Sequence, residues 1–163
     1  MTDVVEFELG QELYAMDIRF AREIVEMMPI ARIPRAPDYI AGIMNLRGEI
    51  TTVIDLKQLI RIPGTSGNNP KIIVLVAEAT GGSNLGIIVD DVYSVIQVAE
   101  SDIEMVDEGL SSGVHTFVKG IIKFTKDEDD RKQADERGRQ GTGLILWIDI
   151  KKILDDLVKS GQV

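Results

Sequence analysis

From Val4 to Ile18 the chain alternates apolar and polar residues on both sides of Gly10, the period of strands with one buried face, so the segment reads as a hairpin turning at Gly10. Glu23 to Pro34 follows as a strand closed by Pro34, and Pro37 is expected to open a short turn of helix before the next apolar run. That run, IAGIMNLRGEITTVIDL from Ile40 to Leu56, reads as two strands around Arg47-Gly48. GTSGNNP, from Gly64 to Pro70, has the composition of a loop. Beyond it IIVLVAEA and LGIIVDDVYSVIQVA read as a hairpin of β-branched strands across Thr80 to Asn84, and FVKGIIKF and LILWIDI as two further apolar strands. The region Glu100 to Gly113 has no usable period. At the end Asp149 is placed to cap a helix whose apolar residues Ile150, Ile153, Leu154, Leu157 and Val158 share one face, with Gly161 as a stop.

The two halves of this pattern are alike. IAGIMNLRG…TTVIDLKQLI matches VKGIIKF…LILWIDIKKIL, and Ala21 to Met27 parallels Val92 to Val98. Two copies, about Val4 to Ile60 and Lys71 to Leu157, are each too small to be comfortable alone. The economical architecture is mainly β: two small, similar five-stranded β-barrels packed around a shared core, with short helices and the C-terminal amphipathic helix docked on them. Residues 1–163 then form one domain of two barrel subdomains. Thr125 to Gly143 interrupts the second copy with a stretch whose only apolar residue is Ala134, too few apolar groups to offset the entropy of ordering, so a mobile loop is expected there.

Composition agrees with sheet: 22 Ile and 15 Val stand against 12 Leu, and branching at Cβ suits a pleated surface better than a helix. The net charge of −9 repels phosphate backbones and anionic lipid, which sets nucleic acid and direct membrane binding aside as partners. Between Lys126 and Gln140 acids and bases nearly balance, so the acidity belongs to the folded body. No stretch approaches eighteen apolar residues and no secretory leader pattern opens the chain, so a cytoplasmic protein is expected.

Candidate chemistry is sparse. With no Cys and one His there is no thiol nucleophile, disulfide framework or histidine pair for a metal, so no cofactor and no metal site is expected. A Ser-His-Asp set would have to use His115 with Ser111 or Ser112, without the G-x-S-x-G context. Asp90-Asp91 points to opposite faces of a strand end, and the acids of Asp127 to Asp130 have basic neighbours. TGGSNLG and LGIIVDD lack phosphate-cradle spacing. No catalytic residue is assigned.

The informative constellation is Asn45-Leu46-Arg47-Gly48 continuing to Leu56. Together with Phe7 to Asp17, Glu23-Ile24, Arg32-Ile33-Pro34, Pro37, Gly42, Gly86 to Val92, Val95, Lys119 to Ile121 and Leu144 to Leu154, it resembles the CheW-like domain, the coupling scaffold of prokaryotic chemotaxis, across almost the whole chain. The resemblance implies two five-stranded barrels and a non-catalytic adaptor. Such an adaptor bridges the cytoplasmic domain of chemoreceptors (methyl-accepting) to the regulatory domain of the histidine kinase CheA, within membrane receptor arrays. It also places Glu23 opposite Arg47 as a pair at a receptor-facing groove, with Asn45, Leu46 and Gly48 in the turn and Ala21, Gly86, Val92 and Val95 as apolar or close-approach positions nearby. Two departures stand out: Thr52 where the family usually has proline, and the long polar loop between Phe124 and Leu144 in place of a short turn. The rival reading, from a different class, is a small β-barrel metabolite-binding protein or an enzyme of unknown substrate. A deep pocket with convergent polar groups would distinguish it.

Overall fold

The computed structural model describes residues 1–63, 67, 69–106, 117–123 and 143–159. Its strands are β1 (Thr2–Leu9), β2 (Glu12–Asp17), β3 (Ala21–Glu26), β4 (Ile40–Leu46), β5 (Glu49–Asp55), β6 (Lys71–Leu75), β7 (Leu85–Val89), β8 (Asp91–Val98), β9 (Ile103–Met105), β10 (Val118–Lys123) and β11 (Leu144–Ile148). Helices α1 (Leu56–Leu59), α2 (Ala77–Thr80) and α3 (Ile150–Lys159) follow β5, β6 and β11, and 3-10 turns lie at Ile18–Phe20 and Glu100–Asp102. The mainly β fold is as the Ile/Val bias predicts. Several expectations change in detail, among them the strand expected over Glu23 to Pro34, which is β3 and ends at Glu26. Pro37 does not open a helix: β4 begins only three residues later, and Ile40 N–H closes a turn on the Pro37 carbonyl at 2.9 Å. Ala77–Thr80 inserts a helical turn into the β6–β7 connection. The strand end expected at Asp90-Asp91 is present, but the two strands that meet there, β7 and β8, belong to different sheets rather than to one hairpin.

The sheets run β8-β1-β2-β11-β10-β9 and β3-β6-β7-β5-β4. Each therefore mixes the two halves of the chain. The hairpin β1–β2 joins β8 to β11 of the second half, while β6–β7 joins β3 to β5 of the first. The sequence repeat is still present, register by register. Thr52↔Leu85 and Val53↔Gly86 of the parallel β5–β7 ladder correspond to Leu146↔Tyr14 and Trp147↔Ala15 of β11–β2. A bulge between Ile40 and Gly42 corresponds to one between Val118 and Gly120. Asp55 and Asp149 each donate their backbone N–H to an aromatic residue's carbonyl, Tyr39 and Phe117, and each caps the helix that follows through Oδ1. The repeat unit is thus real, but its first hairpin is exchanged into the other copy's sheet.

In each sheet the two edge strands are consecutive in the chain. In the first, β8 and β9 are the two edges, yet they are one stretch of chain interrupted by Ala99–Asp102. This explains a sixth strand where five were expected. In the second, the chain leaving β3 returns to β4, where Ala31 and Ile43 exchange two backbone hydrogen bonds of 2.8 and 2.9 Å. That approach requires Gly42, whose φ is +145° and whose added Cβ would stand 2.1 Å from the Ala31 carbonyl oxygen.

Side chains divide accordingly into three cores. Val4, Ala15, Val98, Ile122, Ile145 and Trp147 form the core of the first sheet, and Met44, Leu46, Val53, Ile72 and Val74 that of the second. The largest cluster lies between them: Val5, Phe7, Leu9 and Met16 meet Ile73, Leu75, Ile87 and Val89, and Ile150, Ile153, Leu154 and Leu157 of α3 cover it. Burying each such side chain contributes about 1.5–3 kcal/mol, which makes this seam the main bond between the barrels. Tyr14 stacks on Phe7 in the seam, and burial, reinforced by the charge of Glu12, raises its phenol above the ordinary value. The side chain of Val158, Gly161, His115, Ser111, Ser112, the Asp127 to Asp130 acids and the polar stretch up to Thr142 lie outside the described residues.

Candidate interaction site at the Arg47 turn

The β4–β5 connection is a two-residue hairpin, with Leu46 and Glu49 paired at its base. Arg47 has φ +50° and Gly48 φ +87°, the pair of positive values that a type I′ turn needs to match the twist of its strands. Asn45 sets the turn, its Oδ1 accepting the Gly48 N–H at 2.8 Å. Leu46, buried among Met44, Val53, Ile72 and Val74, anchors it to the barrel interior. Arg47 is the unusual member, because a side-chain-bearing residue in the left-handed region costs roughly 1 kcal/mol that Asn or Gly would avoid.

That Arg is aimed at β3. Its Nη2 donates to Glu23 Oε1, closing the pair expected from the sequence. Beside it Arg22 donates from Nη1 to Glu49 Oε2 at 3.2 Å and brings its Nε within 4.0 Å of Glu23 Oε1. Two arginines and two glutamates thus alternate across a clasp between β3 and the β4–β5 turn. The Arg47 side chain is 63% exposed and Glu23 25% exposed, so the ion pair contributes at most about 1 kcal/mol to folding. What it fixes is the orientation of a forked, permanently charged donor facing solvent.

The other candidate residues are spread more widely. Ala21 starts β3 and is half-buried against the seam. Gly86 is buried on β7, where a Cβ would meet Ile72 Cγ2 at 2.8 Å, so it allows the barrel wall to close. Val92 and Val95 lie on β8, an edge of the other sheet. Val92 packs on the seam, and Val95 is 54% exposed opposite Val5. Ala21 and Val92 are nonetheless equivalent in the repeat, each paired beside a bulge, with Leu75 and Phe7 respectively. Sequence reading missed Arg22 and Glu49. Strict alternation sends Arg22 away from Glu23, and only the bulge between Ala21 and Glu23 turns both toward the clasp. Among the described residues, no group of three or more His, Asp or Glu is placed to hold a metal ion, and no helix is long and apolar enough to cross a membrane.

The two sheets share an apolar seam, and an exposed clasp of two arginines and two glutamates stands at the β4–β5 turn. The chain belongs to the CheW-like domain family, whose model matches residues 3–158. It is 31% identical over 155 residues to the chemotaxis protein CheW of Treponema pallidum, covering 92% of this chain and 80% of the relative. To chemotaxis protein CheW of Thermotoga maritima it is 26% identical, over 98% of this chain and 92% of the relative. The crystal structure of scaffolding protein TtCheW from Thermoanaerobacter tengcongensis superposes with a TM-score of 0.72 at 32% identity, covering 93% of this chain and 86% of that one. These matches support a chemotaxis scaffold role and leave the metabolite-binding reading without favour.

Proposed function

We propose that the chain bridges the cytoplasmic tips of chemoreceptors to the regulatory domain of the histidine kinase CheA, by binding and without turnover. It works in the cytoplasm beside receptor arrays. One observation carries the receptor assignment: a strained, exposed Arg47 held in orientation by Glu23 on a turn whose backbone is set by Asn45 and Gly48. Gln11, Arg35 and Arg61 also hold positive φ, so it is the ion pair with Glu23, rather than the backbone alone, that singles out Arg47. The fork of Arg47 fixes the direction of the partner, while the apolar positions along the seam, Ala21 and Val92 at its margin and Val95 exposed beyond it, supply contact area. Gly86 and Leu46 shape the wall behind them. Kinase binding falls to a separate surface, and many modest contacts gain strength in an array through effective concentration.

An NMR titration with a receptor cytoplasmic hairpin, and then with a CheA regulatory domain, tests this. Shifts are expected around Arg47, Glu23 and β8 with the receptor, and elsewhere with the kinase. Arg47→Ala and Glu23→Ala should each weaken receptor binding by about 1–2 kcal/mol, roughly fivefold to thirtyfold. Unchanged receptor affinity in both variants sinks the site assignment, and an absence of shifts with either partner sinks the adaptor reading.

A further inference from the structure

The chain passes from the five-stranded sheet to the six-stranded sheet between β7 and β8 through one residue, Asp90. Its carboxylate is buried and engaged on both oxygens. Oδ1 takes an ion pair from Lys57 Nζ at 2.9 Å and the N–H of Gly67 at 3.2 Å. Oδ2 takes the N–H of Gly10 at 2.8 Å, and the Asp90 backbone N–H donates to the Glu8 carbonyl at 2.9 Å. The donors come from different parts of the molecule. Gly10 is the β1–β2 turn of one barrel, whereas Lys57 begins the helix leaving β5 of the other. Lys57 is itself only 7% exposed.

The glycines make the approach possible. A Cβ on Gly67 would stand 2.5 Å from Asp90 Cβ, and one on Gly10, at φ +57°, would stand 2.5 Å from Ile62 Cγ2. The other crossing contrasts with this one. There Asp17 accepts from Trp147 Nε1 at 2.6 Å and Lys119 Nζ at 3.2 Å, both on strands of its own sheet, and pairs with the exposed Arg19 Nε at 3.5 Å in the turn that follows it. Asp17 thus braces one barrel, while Asp90 ties the two together.

We propose that Asp90, paired with Lys57, is a positioning residue that fixes the relative orientation of the two barrels, and through it the alignment of β8 with the Arg47 turn. The second half of that statement rests on the receptor reading given above. A buried carboxylate with directional bonds to both barrels adds an orienting restraint to the packing of the apolar seam. Replacing the pair by an uncharged one removes the ion pair and one of the two acceptor oxygens without leaving a buried charge, and such replacements are commonly near neutral for stability.

The test therefore uses Asp90→Asn, which removes the carboxylate charge facing Lys57, and the double variant Asp90→Asn/Lys57→Met, which carries the test where the single variant does not fold. Backbone residual dipolar couplings of the full chain are fitted separately for the two sheets, and emission of Trp147, the chain's one tryptophan, monitors the six-stranded barrel. The expected result is unchanged Trp147 emission and two alignment tensors that no longer coincide, with receptor-hairpin affinity reduced about twofold to thirtyfold. Tensors that coincide as in the parent overturn the proposal, whatever the stability of the variant. Separated tensors with parental receptor affinity uphold Asp90 as the orienting residue and overturn the reading of a receptor site that spans both barrels.

Discussion

Gly42 and Gly48 both stand in the β4–β5 hairpin at positive φ, +145° and +87°, but they are there for different reasons. Gly48 has open space where a side chain would start, so only backbone strain opposes substitution. Gly42 faces the Ala31 carbonyl at a distance no Cβ tolerates, and that carbonyl is held by the bridge that closes the barrel. Gly48→Ala should therefore cost about 1 kcal/mol. Gly42→Ala should cost about 2–4 kcal/mol, because strain and overpacking add at a site whose neighbour cannot retreat without breaking the bridge. Urea denaturation of the two variants measures the difference through their midpoints. Equal midpoints would mean that the Ala31 segment gives way freely and the closure contributes little.

At the scale of elements, α3 shows how far a periodicity can be trusted. Asp149 accepts from Lys152 N–H at 3.1 Å as the cap, and Ile150, Ile153, Leu154 and Leu157 are all buried. Leu154→Ala is expected to destabilise by about 2–5 kcal/mol, while Lys151→Ala on the exposed side should stay within about 0.5 kcal/mol. Thermal melts that fail to separate the two would show the helix undocked. This face was legible because a helix repeats its pattern within one turn of itself, and the Arg47-Gly48 hairpin was legible because a turn is written in adjacent residues. Glu23 opposite Arg47 came from family resemblance, since nothing local relates positions so distant in the chain. The strand end at Asp90-Asp91 was legible, but the change of sheet there was not, because the donors that hold Asp90, namely Gly10, Lys57 and Gly67, lie far from it in the chain. Lys57 hides as well: two residues after Asp55 it looks like part of an ordinary helix start, and its ion-pair partner Asp90 arrives from just beyond β7.

For the whole molecule, the exchange of hairpins has a consequence that two side-by-side barrels would not have. A cut within Gly64 to Pro70 separates the two sequence copies, yet it leaves each half without a complete sheet. The first half keeps β3, β4 and β5 but loses β6–β7, which lie between β3 and β5, and the second keeps β8 and β11 but loses β1–β2, which lie between those. Each half would then expose unpaired strand edges and one side of the seam formed by residues such as Phe7, Met16, Ile73 and Ile87. Neither half expressed alone should show a cooperative melt. Expressed together, they should assemble into a one-to-one complex with the circular dichroism of the intact chain, because the central strands of each sheet are supplied by the other partner. Gel filtration and a denaturation curve of the mixed halves check this, and the concentration dependence expected of a bimolecular fold should appear in the midpoint. A cooperative melt from either half alone would mean that one sequence copy closes a barrel by itself, and that the exchanged hairpin adds to a fold already formed.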